Sequence, residues 1–96
     1  MNKYESVIIV EANLSKKKLS NVTLKIENKI KEFDENFKKV DIGIKRLAYE
    51  INKNNEGHYI SYYFEINADN KKDAIKEIEY LYKITDEIMK YITVKC

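Results

Sequence analysis

Along this chain the hydrophobic period switches between 2 and 3.6 residues, and the order of the switches leaves few folds open. Ser6 to Glu11, SVIIVE, is short, β-branched and apolar on both parities, the pattern of a strand inside a sheet. NLS follows, where Ser15 can cap a helix. Leu19, Val22, Ile26, Ile30, Phe33 and Phe37 then recur at spacings of three and four, with lysines and glutamates opposite. That single stripe predicts a helix from about residue 16 to 37. Asp41 to Ile51 reads as a second strand, with Gly43 allowing a bulge or bend near its start. NKNNEG is a hairpin turn, its Asn and Gly suited to left-handed conformations.

Gly57 to Asn67 returns to period two. Ile60, Tyr62, Phe64 and Ile66 form one face, and Tyr59, Ser61, Tyr63 and Glu65 the other. In NADNKKDAIKEIEYLY, Asp69 or Asn70 caps a second helix that turns Ala74, Ile75, Ile78, Leu81 and Tyr82 inward. Thr85 or Asp86 can cap a further short turn, and YITVKC is a last strand. The order strand, helix, strand, strand, helix, strand predicts an α+β, ferredoxin-like βαββαβ fold. Its four-stranded antiparallel sheet has the spatial order 4-1-3-2, with both helices on one face. Ile8, Ile26, Phe33, Phe64 and Val94 are expected to share the core. Arg46, Ala48, Tyr59 and Tyr63 are expected together on the open face.

Ninety-six residues suit a single domain, residues 1–96, with little interior left for an active site. A hydrophobic fraction of 44% is that of a folded chain. The longest apolar run, VIIV, is far short of the roughly 20 residues that span a bilayer. MNKYESVIIV carries a glutamate inside its apolar stretch, so it does not read as a cleavable signal. The single cysteine, Cys96, has no intrachain partner. These features predict a cytoplasmic protein without a membrane anchor.

Catalysis finds little to work with. His58 is the only histidine, it reads as an exposed turn residue, and Ser61 nearby falls on the opposite face by alternation. One His and one Cys cannot complete a metal site, and two glycines so far apart make no phosphate loop. The expectation is a protein with no enzymatic activity and no cofactor. Net charge is +2, from 18 basic and 16 acidic residues, which excludes a uniformly basic nucleic-acid binder but permits a local patch. Arg46 is the only arginine and so the only side chain able to fork onto two oxygens. A βαββαβ chain with aromatics on its third strand invites comparison with the RNA-recognition motif. Here EGHYISYY keeps the glycine and the last aromatic of that motif and misplaces the rest.

YESVIIV at the start, GIKRLAYEINKNNEGHY in the middle and TDEIMKYITVK at the end resemble the bacterial small-subunit ribosomal protein S-six family. That family opens with Tyr-Glu, matched by Tyr4 and Glu5. Its most specific segment is matched by Gly43, Lys45, Arg46, Leu47, Ala48, Tyr49, Ile51 and Lys53. Gly57, His58 and Tyr59 correspond to the start of its next strand, and Lys90 stands where it usually carries arginine. Glu50 replaces a usual proline, and Lys83, like Lys90, holds an arginine position; lysine there keeps the charge and loses the fork. The chain ends at Cys96, without the acidic extension of some relatives.

The resemblance implies a structural ribosomal protein that pairs with ribosomal protein S-eighteen and binds the central domain of small-subunit ribosomal RNA. It implies RNA contacts from Lys3, Lys45, Arg46, Lys53, Lys83 and Lys90, and partner contacts from Ala48, Tyr59 and Tyr63. Isolated, such a chain is expected to be a monomer. The competing class is a small regulatory or oligomerising ferredoxin-like domain that does not bind RNA.

Overall fold

A computed structural model describes residues 2–51, 54–67 and 71–96, with the side chains of 51, 54, 71 and 72 left aside. Strand β1 spans Asn2–Glu11, helix α1 Lys16–Lys31, β2 Lys38–Ile51, β3 Asn54–Ile66, α2 Lys71–Ile84 and β4 Ile88–Lys95. The sheet runs β2-β3-β1-β4, every neighbouring pair antiparallel. This is the ferredoxin-like arrangement that the order of hydrophobic periods predicts. Strand β1 is central because Ile8 and Val10 enter the core while Val7 and Ile9 are half-covered on the other face. The hairpin tip with Lys53, and the α2 cap expected at Asp69 or Asn70, lie outside the described residues.

Ser15 caps α1: its backbone is extended and its Oγ accepts the Lys18 N–H at 3.2 Å. Lys29 and Lys31 in the last turn suit the negative end of the helix dipole. The helix stops at Lys31, well short of residue 37. The N–H groups of Phe33 and Asp34 close back onto the Ile30 carbonyl. The Asp34 carboxylate then accepts the Asn36 N–H at 2.9 Å and the Glu65 N–H at 2.8 Å. A short acidic side chain competes here with the helical ladder and ties the turn to β3. The apolar stripe continues past the helix because Phe33 and Phe37 pack onto the core from the loop, Phe37 at 6.0 Å from the Tyr62 ring.

The strands run longer than their apolar cores, β1 beginning at Asn2, β2 at Lys38, β3 at Asn54 and β4 at Ile88. Gly43 has φ +100 and sits at a register shift between Asp41 and Gly43, the bulge expected there. Gly57 has a different role from the turn residue expected. It is paired mid-strand with Glu11 and Lys45, and a Cβ there would meet Ile9 Cγ2 at 2.4 Å. A second shift, between Ile9 and Val10, puts Ile88 opposite Val10 and Lys90 opposite Ile9. It inverts the parity of β4, so Tyr91 and Thr93 face the helices. Val94, expected in the core, is 45% exposed on the open face.

The core gathers Ile8, Val10, Ile26, Ile30, Ile60 and Phe64 with Ala74 and Ile78 of α2. Ser6 Oγ lies 2.7 Å from Tyr82 Oη and 3.1 Å from Thr93 Oγ1, while the buried Tyr4 hydroxyl has no hydrogen-bond partner among the described residues. Tyr62 donates its hydroxyl to Glu27 at 3.1 Å, and Lys39 pairs with the same carboxylate at 3.0 Å. The end of α2 is closed by Thr85, whose hydroxyl donates to the Leu81 carbonyl at 2.6 Å.

Candidate partner and nucleic-acid interface

The face of the sheet away from the helices is built from Glu5, Val7 and Ile9 of β1, Tyr59, Ser61 and Tyr63 of β3, and Lys90, Ile92 and Val94 of β4. Strand β2 adds Val40, opposite Ser61, then Gly43, opposite Tyr59, and Lys45, opposite Gly57. Ile92 is 58% exposed and Val40 47%.

Two polar constructions interrupt it. Near its middle, Glu5 Oε2 accepts the hydroxyls of Ser61 and Tyr63, each at 2.9 Å. At one end, Lys90 donates to the Tyr49 hydroxyl at 2.9 Å, its Nζ 5.4 Å from the ring centroid. That hydrogen bond, with the electrostatic influence of Tyr49 and Tyr59, holds the ammonium above the ordinary lysine value. β2 and β4 are opposite edges of the sheet, so this contact means that the β2–β3 hairpin curls across the open face. Leu47, Met89 and Ile9 meet beneath it, at the space that Gly57 leaves free of a Cβ.

Only part of the expected site comes together. Tyr59, Tyr63, Lys45 and Lys90 share the open side. Arg46 does not: it pairs with Glu56, on the side of His58 and Ile60. Ala48 lies between Leu47 and Tyr49, both directed at the open face, and so turns away from Tyr59 and Tyr63. The cause is the bulge at Gly43, which adds a residue and swaps the faces of the side chains that follow; the pairing shifts again between Arg46 and Ile51, the stretch that holds Ala48. Lys45 and Arg46 leave opposite faces, as adjacent strand residues must, with the sides interchanged from expectation. Lys3 stands at the far end of β1 from Lys90, about 20 Å along the strand, and its ammonium lies 3.9 Å from Glu65. Lys83 is exposed at the end of α2. Among the described residues, the expected cations Lys3, Lys45, Arg46, Lys83 and Lys90 therefore stand at separate points.

His58 is half-buried within β3, not exposed in a turn, and its Nε2 lies 2.6 Å from Asp41 Oδ1. Ser61 points the other way and gives its hydroxyl to Glu5, so it does not face the imidazole. Among the described residues, no group of three or more His, Cys, Asp or Glu could hold a metal ion, and no helix is long and apolar enough to cross a membrane. Sequence reasoning missed Glu5 with its two hydroxyls, and the Lys90–Tyr49 contact. The first was open to it, because β1 beside β3 sets Glu5 opposite Tyr63; the second depends on curvature.

Fold and surface together define a ferredoxin-like domain whose partly apolar sheet face is not covered by its helices. Residues 3–95 match the family described as Ribosomal protein S6. The chain is 38% identical over 96 residues to the small ribosomal subunit protein bS6 of Alkaliphilus oremlandii, covering 99% of this chain and 97% of that one. It is 33% identical over 96 residues to the bS6 of Phytoplasma australiense, covering 99% of each. The crystal structure of 30S ribosomal protein S6 from Thermotoga maritima is similar with a TM-score of 0.81 at 31% identity, over 99% of this chain and 87% of that one. This chain belongs to the bacterial ribosomal protein S6 family of the small ribosomal subunit, the S-six family that its motifs resemble.

Proposed function

We propose that residues 1–96 act as one non-catalytic domain of the bacterial small ribosomal subunit, cytoplasmic, monomeric when isolated, and paired with ribosomal protein S-eighteen. Together the two bind the central domain of the small-subunit ribosomal RNA. The observation that carries this reading is the family match from residue 3 to residue 95, which takes in all of the strands and helices but the first residue of β1. Its surface is compatible with shared binding. With a net charge of +2 and scattered cations, the chain has few phosphate contacts to offer, so binding to RNA alone is weak and falls shallowly with salt. In this reading those few contacts are drawn from Lys3, Lys45, Arg46, Lys53, Lys83 and Lys90, and Tyr59, Tyr63 and Ala48 serve the partner. Arg46 and Ala48 then work from the side of the hairpin away from the open face.

The test is co-sedimentation with small ribosomal subunits, followed by titration of Arg46, Arg46→Lys and Arg46→Ala proteins with S-eighteen and the RNA fragment. Binding weakens in the order Arg, Lys, Ala while melting temperatures stay level, because an exposed cation contributes little to folding. Equal affinities move the contact to Lys45 and Lys53. Absence from the subunit fraction overturns the reading.

A further inference from the structure

We propose that the open sheet face is keyed to a protein partner by Glu5, whose carboxylate is a socket for a cationic side chain, a guanidinium or an ammonium set among apolar groups. The proposal rests on reading that face as partner-binding. Glu5 is half-buried, opposite Tyr63 on one side and Val94 on the other. Ser61, itself 1% exposed, and Tyr63 fix one carboxylate oxygen with two donated hydroxyls. Oε1 stands outside those two bonds, and none of the ion pairs among the described residues involves Glu5. The nearest cation on its own strand, Lys3, lies against Glu65.

Val7, Ile92 and Val94 flank this anion on β1 and β4, the last two large exposed apolar groups. Across Tyr63 and Ser61, β2 carries Lys38, which is in none of the ion pairs among the described residues, and the exposed Val40. Covering them removes water from apolar surface, which favours docking. The same covering strips water from an oriented carboxylate, which opposes docking unless a positive charge replaces the water. Phosphate oxygens cannot supply that charge and are repelled by it. The chemistry therefore selects, at Glu5, a protein surface with a lysine or arginine flanked by apolar side chains, and it turns phosphate away from that end of the face, leaving RNA to Lys45 and Lys90 at the Gly57 and Ile9 end.

The experiment titrates purified S-eighteen into the full-length protein and its Glu5→Gln, Glu5→Asp and Ile92→Asp variants, with thermal melts in parallel. Glu5→Gln keeps shape and acceptor but removes charge; it weakens binding about tenfold or more, and Glu5→Asp recovers part of the loss. If Glu5→Gln binds like the parent while Ile92→Asp does not bind, the face reading stands and the socket is overturned. If both bind like the parent, the face reading itself falls. Tighter binding of the ribosomal RNA fragment by Glu5→Gln without S-eighteen assigns the face to RNA and overturns the proposal. Should Glu5→Gln melt near the assay temperature, the parent protein decides. An affinity for S-eighteen indifferent to salt between about 0.05 and 0.5 M overturns the socket.

Discussion

Tyr62 and Tyr82 carry phenolic hydroxyls into an apolar core, and both are held well above the ordinary tyrosine value. Burial is the main cause for each; for Tyr62 the Glu27 carboxylate adds to it, while for Tyr82 the hydrogen bond with Ser6 pulls the other way. The folded chain thus holds these protons more tightly than the unfolded chain, where tyrosine ionises near pH 10. Their contribution to stability is whole below about pH 10 and is lost as pH climbs beyond it toward the folded values. Denaturant midpoints should accordingly fall above about pH 10, and Tyr82→Phe should make that fall shallower. An alkaline limb of the same steepness in Tyr82→Phe would show that Tyr82 ionisation does not drive it. Both tyrosines were legible as core residues from alternation and helical spacing, but their hydroxyl partners were not. Ser6 is 76 positions from Tyr82 and Glu27 is 35 from Tyr62, and only the packing of helix on sheet joins them.

At the scale of elements, bulges and side-chain competition decided what period alone could not. Strand alternation correctly sorted Ile60, Tyr62 and Phe64 from Tyr59, Ser61 and Tyr63, because β3 keeps one phase throughout. It failed on β2 and β4, where a single extra residue exchanges the two faces, and this is why Arg46, Ala48 and Val94 all turned out on the other side. Helix α1 showed the complementary error: its apolar stripe runs on past the last helical residue, since a loop can bury phenylalanines as well as a helix can. The hairpin of β2 and β3 adds a mechanical element. Its far half is fastened to β4 by the Lys90–Tyr49 contact over the Leu47–Met89–Ile9 cluster. Tyr49→Phe removes the acceptor and leaves the ring. Hydrogen exchange should then quicken in the distal hairpin amides while the global melting temperature holds. Unchanged exchange there would mean that the apolar cluster alone fastens the hairpin.

For the molecule as a whole, the two helices and the sheet close over one cluster of buried side chains, and Phe64 sits inside it with its ring 6.1 Å from that of Tyr4. Phe64→Ala should cost about 3–5 kcal/mol by chemical denaturation, the usual range when a buried aromatic leaves a cavity. A loss below about 1 kcal/mol would mean that the core collapses around the gap or that the ring is not packed as described. The sequence by itself determined the order of elements, the ferredoxin-like sheet order and the family. Hydrophobic period, capping Ser15 and the GIKRLAYEINK segment are local signals carried by neighbours along the chain. Tertiary structure alone decided which cations share a surface, that Asp34 ends α1 by reaching β3, and that the hairpin curls over to Lys90. It also set Glu5 between Ser61 and Tyr63. Those facts depend on the phase of pairing between strands and on sheet curvature, which a bulge of one residue changes and no local pattern records.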